Sequence, residues 1–285
     1  VLCLALCAGA ASAAGPAAKP GDKKPESKLN AGSFSGLKFR NIGPALTSGR
    51  IVDVAVHPQD KSTWYVAAAY GGVWKTTNAG TTWKPIFDGQ GTSSIGCVAV
   101  DPSRPLTVWV GSGENNSQRA VGWGDGVYRS DDGGRTWNNV GLKASEHIGM
   151  VAIHPKQSNV VLVAAQGPLW APGGDRGVYK TTDGGKTWKR VLYVDEWTGG
   201  NEVWFDPHDP EVLYAATYQR HRKEWTLIDG GPGSGVWKST DGGETWKKLA
   251  GGLPTEDMGK IGLTLPKTEP NAIVAVIEAA NGKSG

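Results

Sequence analysis

The sequence predicts an all-β fold, namely a β-propeller of four-stranded antiparallel blades. A segment of the form Ser/Thr-x-Asp/Asn-x-Gly-x-Thr-Trp occurs four times, and its closing tryptophans Trp83, Trp137, Trp188 and Trp246 lie 54, 51 and 58 residues apart. A β-type run that ends in a proline turn recurs with the same period, for example at residues 98–102 and 151–155. Four short strands repeating about every 50 residues are typical of propeller blades.

Each of these four segments, called boxes below, predicts a tight turn between the third and fourth strands of a blade. The Asp or Asn can accept hydrogen bonds from backbone N–H groups two residues on. The Gly three places before Trp can adopt a positive φ, where a Cβ would clash. The Trp is expected to pack beside the turn and to bind no ligand. The predicted structural residues of the boxes are Asn78, Gly80, Trp83, Asp132, Gly134, Trp137, Asp183, Gly185, Trp188, Asp241, Gly243 and Trp246.

The repeats predict four complete blades and half of a fifth, which form an incomplete ring. We expect the blades at about residues 50–88, 95–140, 148–193, 200–250 and, in part, 260–285. A blade cannot bury both of its faces alone, since its neighbours cover them. We therefore expect the sequence to be a fragment cut at both ends, in which a strand at residues 37–42 completes a last blade that the sequence lacks.

The N-terminal residues predict export. Residues 1–13 are apolar, end in an Ala-Ser-Ala motif typical of signal cleavage, and are interpreted as a signal peptide remnant. Residues 14–36 are rich in Ala, Gly, Pro, Lys and Ser and predict a flexible linker, after which residues 37–285 form the partial propeller. No later segment is apolar and long enough for a membrane span. The expected location is periplasmic or extracellular, and the sequence leaves lipidation of the N-terminus open.

Composition excludes several classes of function. A formal net charge of +3 over 285 residues gives no basic stripe for nucleic acid. The three cysteines are too few for a disulfide framework, and Cys97 is expected to be a buried thiol. No dinucleotide fingerprint, zinc-ligand spacing or nucleophile elbow occurs. We therefore expect no cofactor and no metal.

Strand alternation sorts the turns onto two rims. The turns between first and second strands and the four boxes lie on one rim, the box rim. The remaining connections lie on the other, the loop rim, which carries the irregular insertions at residues 113–124, 166–176 and 218–235. Variable loops on a rigid repeat are where function is usually placed. The predicted ligand-binding residues are Glu114, Arg119, Trp123, Trp170, Arg176, Arg220 and Trp225.

The boxes resemble the aspartate box, or bacterial neuraminidase repeat. This repeat occurs in sialidases, in the sortilin N-terminal domain, in xyloglucan-active glycoside hydrolases and in photosystem assembly propellers. Residues 39–44, 49–53 and 123–128 look most like large exported bacterial proteins described as sortilin-like or as glycosyl hydrolases with BNR repeats. The resemblance covers residues 37–285 and implies the propeller fold, whereas the boxes indicate little about chemistry.

Catalytic residues of these families do not carry over well. Sialidases need three arginines, a Tyr–Glu pair and an acidic Asp, and Arg40 and Arg50 stand here without the Arg-Ile-Pro motif. Residues 69–74 resemble the xyloglucan enzymes, but Ala69 stands where their catalytic Asp is expected. If a hydrolase acted through two rim carboxylates, roughly 5–9.5 Å apart, the unranked candidates would be Glu114, Asp125, Asp175, Glu196 and Glu224.

Three functions stay open at this point. The preferred one is a non-catalytic module that binds a peptide or a glycan on the loop rim. The second is a sialidase- or xyloglucanase-like glycoside hydrolase with part of its site in a missing C-terminal region. The third is a structural scaffold for further blades and domains of the same full-length chain. The sequence gives neither the ligand nor the total number of blades.

Overall fold

A computed structural model describes residues 49–116, 121–269 and 272–280, together with Gly32 and Gly36. The chain divides into two units, residues 1–42 and residues 43–285. The predicted signal remnant, the linker and the strand at residues 37–42 lie outside the described residues, apart from the two isolated glycines. All strands of the described residues belong to the second unit.

In the described residues, nineteen strands form five antiparallel sheets, which confirms the predicted all-β fold of four complete blades and half of a fifth. Blade 1 contains β1 (Ile51–Val56), β2 (Trp64–Ala68), β3 (Gly72–Thr76) and β4 (Lys84–Pro85), and blade 2 contains β5 (Ile95–Val100), β6 (Val108–Ser112), β7 (Val127–Ser130) and β8 (Asn138–Gly141). Blade 3 contains β9 (Ile148–Ile153), β10 (Val161–Ala165), β11 (Gly177–Thr181) and β12 (Lys189–Leu192). Within these blades each strand pairs with the next one along the chain.

Blade 4 differs from the others by an added strand. It consists of β13 (Thr198–Phe205), β14 (Leu213–Lys223), β16 (Gly235–Ser239) and β17 (Lys247–Lys248), while β15 (Thr226–Asp229) pairs with the far end of β14. The insertion that begins at Tyr218 is therefore a projecting hairpin and not an irregular loop. The expectation of an irregular loop was wrong because alternating side chains over residues 218–229 permit strand pairing. Blade 5 consists of β18 (Met258–Thr264) and β19 (Val274–Ala279).

The hydrophobic core lies between blades. Residues from blades 1 and 2 form one buried cluster around Tyr65, Phe87 and Tyr128, and similar clusters join blades 2 and 3, 3 and 4, and 4 and 5. The first strand of each blade lies beside the first strand of the next. This radial arrangement is what a propeller requires, because each sheet buries its faces only against its neighbours.

The two ends of the arc leave apolar faces exposed. On blade 1, Ile51 and Val54 are 64% and 50% exposed, and the half-exposed Trp83 lies beside Trp64. On blade 5, Val276 is 74% exposed. The faces between successive blades are covered, whereas these two terminal faces are open.

The boxes form tight turns held by their own side chains. In the third box, the Thr181 hydroxyl accepts a hydrogen bond from Gly185 N (2.9 Å) and donates one to Asp183 Oδ1 (2.7 Å). Asp183 Oδ1 also accepts from Thr187 N (3.0 Å), so the carboxylate reaches four residues ahead and not the predicted two. Gly185 has φ 91°, which confirms the positive φ expected of this glycine.

Two of the box tryptophans tie neighbouring blades together. Trp137 Nε1 donates to Ile86 O in blade 1 (2.7 Å), and Trp188 Nε1 donates to Val140 O in blade 2 (2.8 Å). Trp188 also packs edge-on against Trp109. The tryptophan therefore packs beside its turn, as predicted, and in addition binds the preceding blade.

Candidate functional site

The structure places the predicted ligand-binding residues in two different environments on the loop rim. Glu114, Arg176 and Arg220 are buried in a polar cluster, with exposures of 0%, 1% and 2%. Trp123, Trp170 and Trp225 stand in solvent, with exposures of 65%, 51% and 78%. Arg119 lies outside the described residues. A single binding site formed by all seven residues stays a prediction.

The buried cluster is built around residues 114–116 of blade 2, called the central loop below. Glu114 is fully buried, and its Oε1 accepts hydrogen bonds from Arg50 Nε (2.7 Å) and Arg50 Nη2 of blade 1 and from Asn116 Nδ2. The Glu114 carboxylate is thus held through one oxygen by two N–H donors of the same arginine, and such charge-assisted hydrogen bonds are stronger than neutral ones.

Asn115 joins the inner strands of several blades. Its Nδ2 donates to Gly96 O (3.1 Å) and Gly149 O (3.0 Å), which belong to the first strands of blades 2 and 3. Neither glycine has room for a side chain, because a Cβ on Gly96 would lie 2.1 Å from Ile148 O and one on Gly149 would lie 2.1 Å from Asn201 O. The two glycines therefore allow the first strands to approach closely and leave their carbonyl oxygens accessible to Asn115.

Side chains from blades 3, 4 and 5 bind the backbone of the central loop. His147 Nδ1 contacts Glu114 O (2.8 Å), Lys260 Nζ donates to Asn115 O (2.9 Å), and Arg220 Nη1 donates to Asn116 O (2.6 Å). Three consecutive carbonyl groups are thus bound from three blades. Together with the contact between Arg50 and Glu114, these bonds connect the central loop to all five blades.

His147 is neutral in this environment. Burial, followed by repulsion from the Arg220 guanidinium, lowers the pKa of His147 to about 3. Because a carbonyl oxygen can only accept, the neutral ring carries its proton on Nδ1 and donates it to Glu114 O. His147 therefore acts as a fixed hydrogen-bond donor at physiological pH, and not as a proton-transfer group.

Arg176 fixes the insertion of blade 3. Its guanidinium donates to four backbone carbonyls, those of Pro168, Ala171, Gln166 (2.6 Å) and Trp197 (3.3 Å). Burial lowers the pKa of Arg176 to about 10, and the nearby Arg220 charge acts in the same direction. The four carbonyl contacts indicate a structural role for this arginine beneath the loop that carries Trp170.

The exposed tryptophans belong to backbone segments that are held by hydrogen bonds or strand pairing. Trp123 O accepts from the Thr92 hydroxyl (2.8 Å), and Trp225 lies at the tip of the hairpin formed by β14 and β15. That hairpin is joined to the Trp170 loop by a hydrogen bond from Arg222 N to Leu169 O (2.8 Å). Blades 2, 3 and 4 thus each present one exposed tryptophan on the loop rim.

The catalytic candidates occupy separate surroundings. Asp125 accepts a hydrogen bond from the Tyr128 hydroxyl (2.6 Å), and Asp175 accepts one from Ala144 N (2.9 Å). Glu196 and Glu224 are exposed, whereas Glu114 is bound to Arg50. Their assignment as catalytic residues stays a prediction.

Sequence reasoning missed three residues of the buried cluster. Lys260 and Asn201 lie on first strands at the position that Gly96 and Gly149 occupy in other blades, and Gln166 Nε2 bridges Asn201 Oδ1 (2.8 Å) and Asn115 O (3.3 Å). A polar residue at that repeat position was the signal available. The described residues contain no group of three or more His, Cys, Asp or Glu side chains placed to hold a metal ion.

A sequence model of the sortilin family, described as "Sortilin, neurotensin receptor 3", matches residues 125–281, which is more than half of the chain. The chain belongs to the sortilin family. The match begins in blade 2 and extends into blade 5. Among the described residues, no helical segment has the length and apolarity that crossing a membrane requires.

Curated relatives of this sortilin-family chain include two xyloglucanases. Xyloglucanase Xgh74A of Acetivibrio thermocellus is 26% identical over 224 residues, which are 69% of this chain and 25% of the relative. A xyloglucanase of Hypocrea jecorina is 24% identical over 256 residues, which are 77% of this chain and 28% of the relative. The chain therefore spans about a quarter of the length of these relatives.

Solved structures show the same fold. An ancestral GH74 enzyme has a TM-score of 0.54 at 23% identity, with 72% of this chain and 24% of the other covered. The GH74 enzyme of Niastella koreensis has a TM-score of 0.52 at 24% identity, with 68% and 28% covered. At this level of identity the likeness concerns the propeller fold.

Proposed function

We propose that the loop rim of blades 2 to 4 binds a carbohydrate. The observation that carries this proposal is the display of Trp123, Trp170 and Trp225 in solvent, one from each of three neighbouring blades. Exposed indole rings bury a large apolar surface on binding and keep an N–H for a polar partner. The xyloglucanases among the relatives act on a glycan, which favours carbohydrate over peptide.

The support beneath the tryptophans favours a preformed site. Arg176 holds the loop of Trp170 through four carbonyls, and the bond from Arg222 N to Leu169 O connects this loop to the Trp225 hairpin. Ordering a flexible loop on binding would reduce affinity, since each immobilised group loses conformational entropy. A rim already fixed by buried hydrogen bonds avoids much of that loss.

The test is glycan binding by the full-length gene product. Xyloglucan, other β-glucans and a set of peptides are compared by affinity electrophoresis and calorimetry. Trp123→Ala and Trp225→Ala are each expected to weaken glycan binding by about 1–3 kcal/mol, the effect of a contact hot spot. Trp83→Ala is the matched control, because Trp83 is also partly exposed but lies on the box rim. Absence of glycan binding, or an equal loss with Trp83→Ala, would contradict the proposal.

A second candidate function is glycoside hydrolysis, which the names of the relatives favour. The resemblance to the xyloglucan enzymes places Ala69, fully buried here, where their catalytic Asp is expected. A hydrolase would then use other carboxylates, and Asp125, Asp175, Glu196 and Glu224 are those to replace by the corresponding amides. Release of reducing ends from xyloglucan by the full-length gene product, abolished by one of these changes, would establish this activity.

We also propose that the protein acts outside the cytoplasm. The apolar N-terminal residues with an Ala-Ser-Ala motif and a polysaccharide substrate class both favour export. Cell fractionation followed by N-terminal sequencing tests this. A cytoplasmic protein that retains residues 1–13 would refute it.

A further inference from the structure

Two arginines lie side by side on strand β14 with unused hydrogen-bond donors. Arg220 and Arg222 are two residues apart and therefore point to the same face of the strand. Arg220 Nη2 and Arg222 Nε are both buried, and neither has a hydrogen-bond partner among the described residues. Arg220 as a whole is only 2% exposed. Buried guanidinium N–H groups are normally paired, so these two donors require an explanation.

The charges around Arg220 are mostly of the same sign. Burial, followed by the charge of Arg222, lowers the pKa of Arg220 to about 10. Arg220 in turn lowers the pKa of Lys260, for which burial is the larger cause. Glu114 is the carboxylate that favours charged Arg220, but its Oε1 is bound by Arg50, and its Oε2 accepts no hydrogen bond from Arg220 or from any other described residue. The positive charge at this point of the cluster is therefore incompletely neutralised.

The remaining nearby carboxylate does not complete the pairing. Asp229 is the cross-strand neighbour of Arg220, yet its Oδ1 also has no hydrogen-bond partner among the described residues, and burial, followed by the charge of Glu278, raises the pKa of its carboxyl. Among the ion pairs of the described residues, none involves Arg220 or Arg222. Buried guanidinium N–H groups that lack acceptors destabilise the folded state, even though Arg220 Nη1 is bound to Asn116 O. A bound counter-ion would remove that destabilisation.

We propose that Arg220 and Arg222 bind a small inorganic monovalent anion of the size of chloride. The free donors are Arg220 Nη2 and Arg222 Nε, and both are buried, which favours a small ion over a bulky organic one. Arg220 Nη1 meanwhile holds Asn116 O. The anion would thus neutralise the arginine that anchors blade 4 to the central loop. This site is separate from the exposed tryptophans and does not depend on glycan binding.

The test uses thermal unfolding of the full-length gene product without any glycan. Sodium chloride is compared with sodium gluconate at equal ionic strength, so that general screening is constant. A ligand that binds only the folded state raises Tm, and a chloride concentration about 100 times Kd would raise the Tm of a unit of about 250 residues that contains the site by roughly 5 °C or more. The rise should saturate with chloride and be absent with gluconate.

Variants and crystallography distinguish chloride binding at Arg220 and Arg222 from other causes of a rise in Tm. Arg222→Gln and Arg220→Gln should lose the chloride dependence, whereas Lys223→Gln, which changes an exposed cation on the same strand, should retain it. If Arg220→Gln does not fold, the comparison of chloride dependence between Arg222→Gln and the wild type still tests the proposal. Crystals of the wild-type protein soaked in bromide should show an anomalous peak within hydrogen-bond distance of Arg220 Nη2. Equal stability in both salts, no bromide peak there, or full chloride dependence in Arg222→Gln would overturn the proposal.

Discussion

Replacing one tryptophan on each rim should separate stability from binding. Trp188 belongs to the third box, packs against Trp109 with ring centroids 6.3 Å apart, and donates Nε1 to Val140 O. Trp225 is 78% exposed at the tip of the β14–β15 hairpin. We expect Trp188→Ala to destabilise the fold with little direct effect on the site, and Trp225→Ala to do the reverse.

The magnitude follows from the area that each side chain buries. A mostly buried tryptophan removes about 150–200 Å² from water, which at about 25 cal/mol per Å² contributes about 4–5 kcal/mol. Since part of Trp188 remains accessible, the loss expected for Trp188→Ala is about 3–5 kcal/mol, including the hydrogen bond to Val140 O. Trp225→Ala should change stability by no more than about 0.5 kcal/mol, because its ring is largely in solvent.

The assay pairs urea denaturation with glycan calorimetry on the same full-length samples. Trp188→Phe provides a conservative comparison, since it keeps an aromatic ring but removes the Nε1 donor. An unchanged urea midpoint in Trp188→Ala together with abolished glycan binding would refute this division between the two rims. A midpoint lowered as much by Trp225→Ala as by Trp188→Ala would refute it as well.

Three further predictions concern the boxes and the ends of the arc. Thr181→Val should lower the free energy of unfolding, measured by urea titration, by about 1–3 kcal/mol because the buried Gly185 N–H loses its acceptor. Thr182→Val changes an exposed neighbour and should have almost no effect in the same titration. Hydrogen bonds, chiefly from the Thr187 hydroxyl, lower the pKa of Asp183. The ionised carboxylate therefore stabilises the fold fully above pH 4, and this stabilisation is lost as the pH falls towards the pKa of the folded state. Urea midpoints measured from pH 5 to pH 2 should fall less steeply in Asp183→Asn than in the wild type. The 285-residue chain expressed alone should self-associate through the apolar terminal faces that include Ile51 and Val276, and a monomeric elution volume with a sharp cooperative melt would contradict this.

The fold could be predicted because its information is local and repeated. Every box contains its own turn chemistry, and the contacts among Thr181, Asp183 and Gly185 span only four residues. The turns between first and second strands close in the same local way. His57 and Asp101 occupy equivalent positions in two of these turns, and each accepts a hydrogen bond from the backbone N–H two residues later. A motif that closes its own hydrogen bonds can be recognised without knowledge of its neighbours.

The candidate site was less predictable because its contacts are distant in sequence. Lys260 and Asn115, which form a direct hydrogen bond, are 145 residues apart. Glu114 was expected among the ligand-binding residues of the rim, but its burial depends on Arg50, 64 residues earlier. The hairpin of blade 4 was missed because the polar residues of β14 and β15 suggested a solvated loop. Contacts between residues so far apart along the chain produce no repeated pattern in a single sequence.

The central loop has a consequence for the order in which the protein folds. Each blade can form its own antiparallel pairs soon after synthesis, because those contacts are local along the chain. Residues 114–116, by contrast, cannot acquire their partners until His147, Arg220 and Lys260 of three later blades are in place. The three carbonyl groups of the central loop lack these partners until then, so their native hydrogen bonds require the assembly of blades 2 to 5.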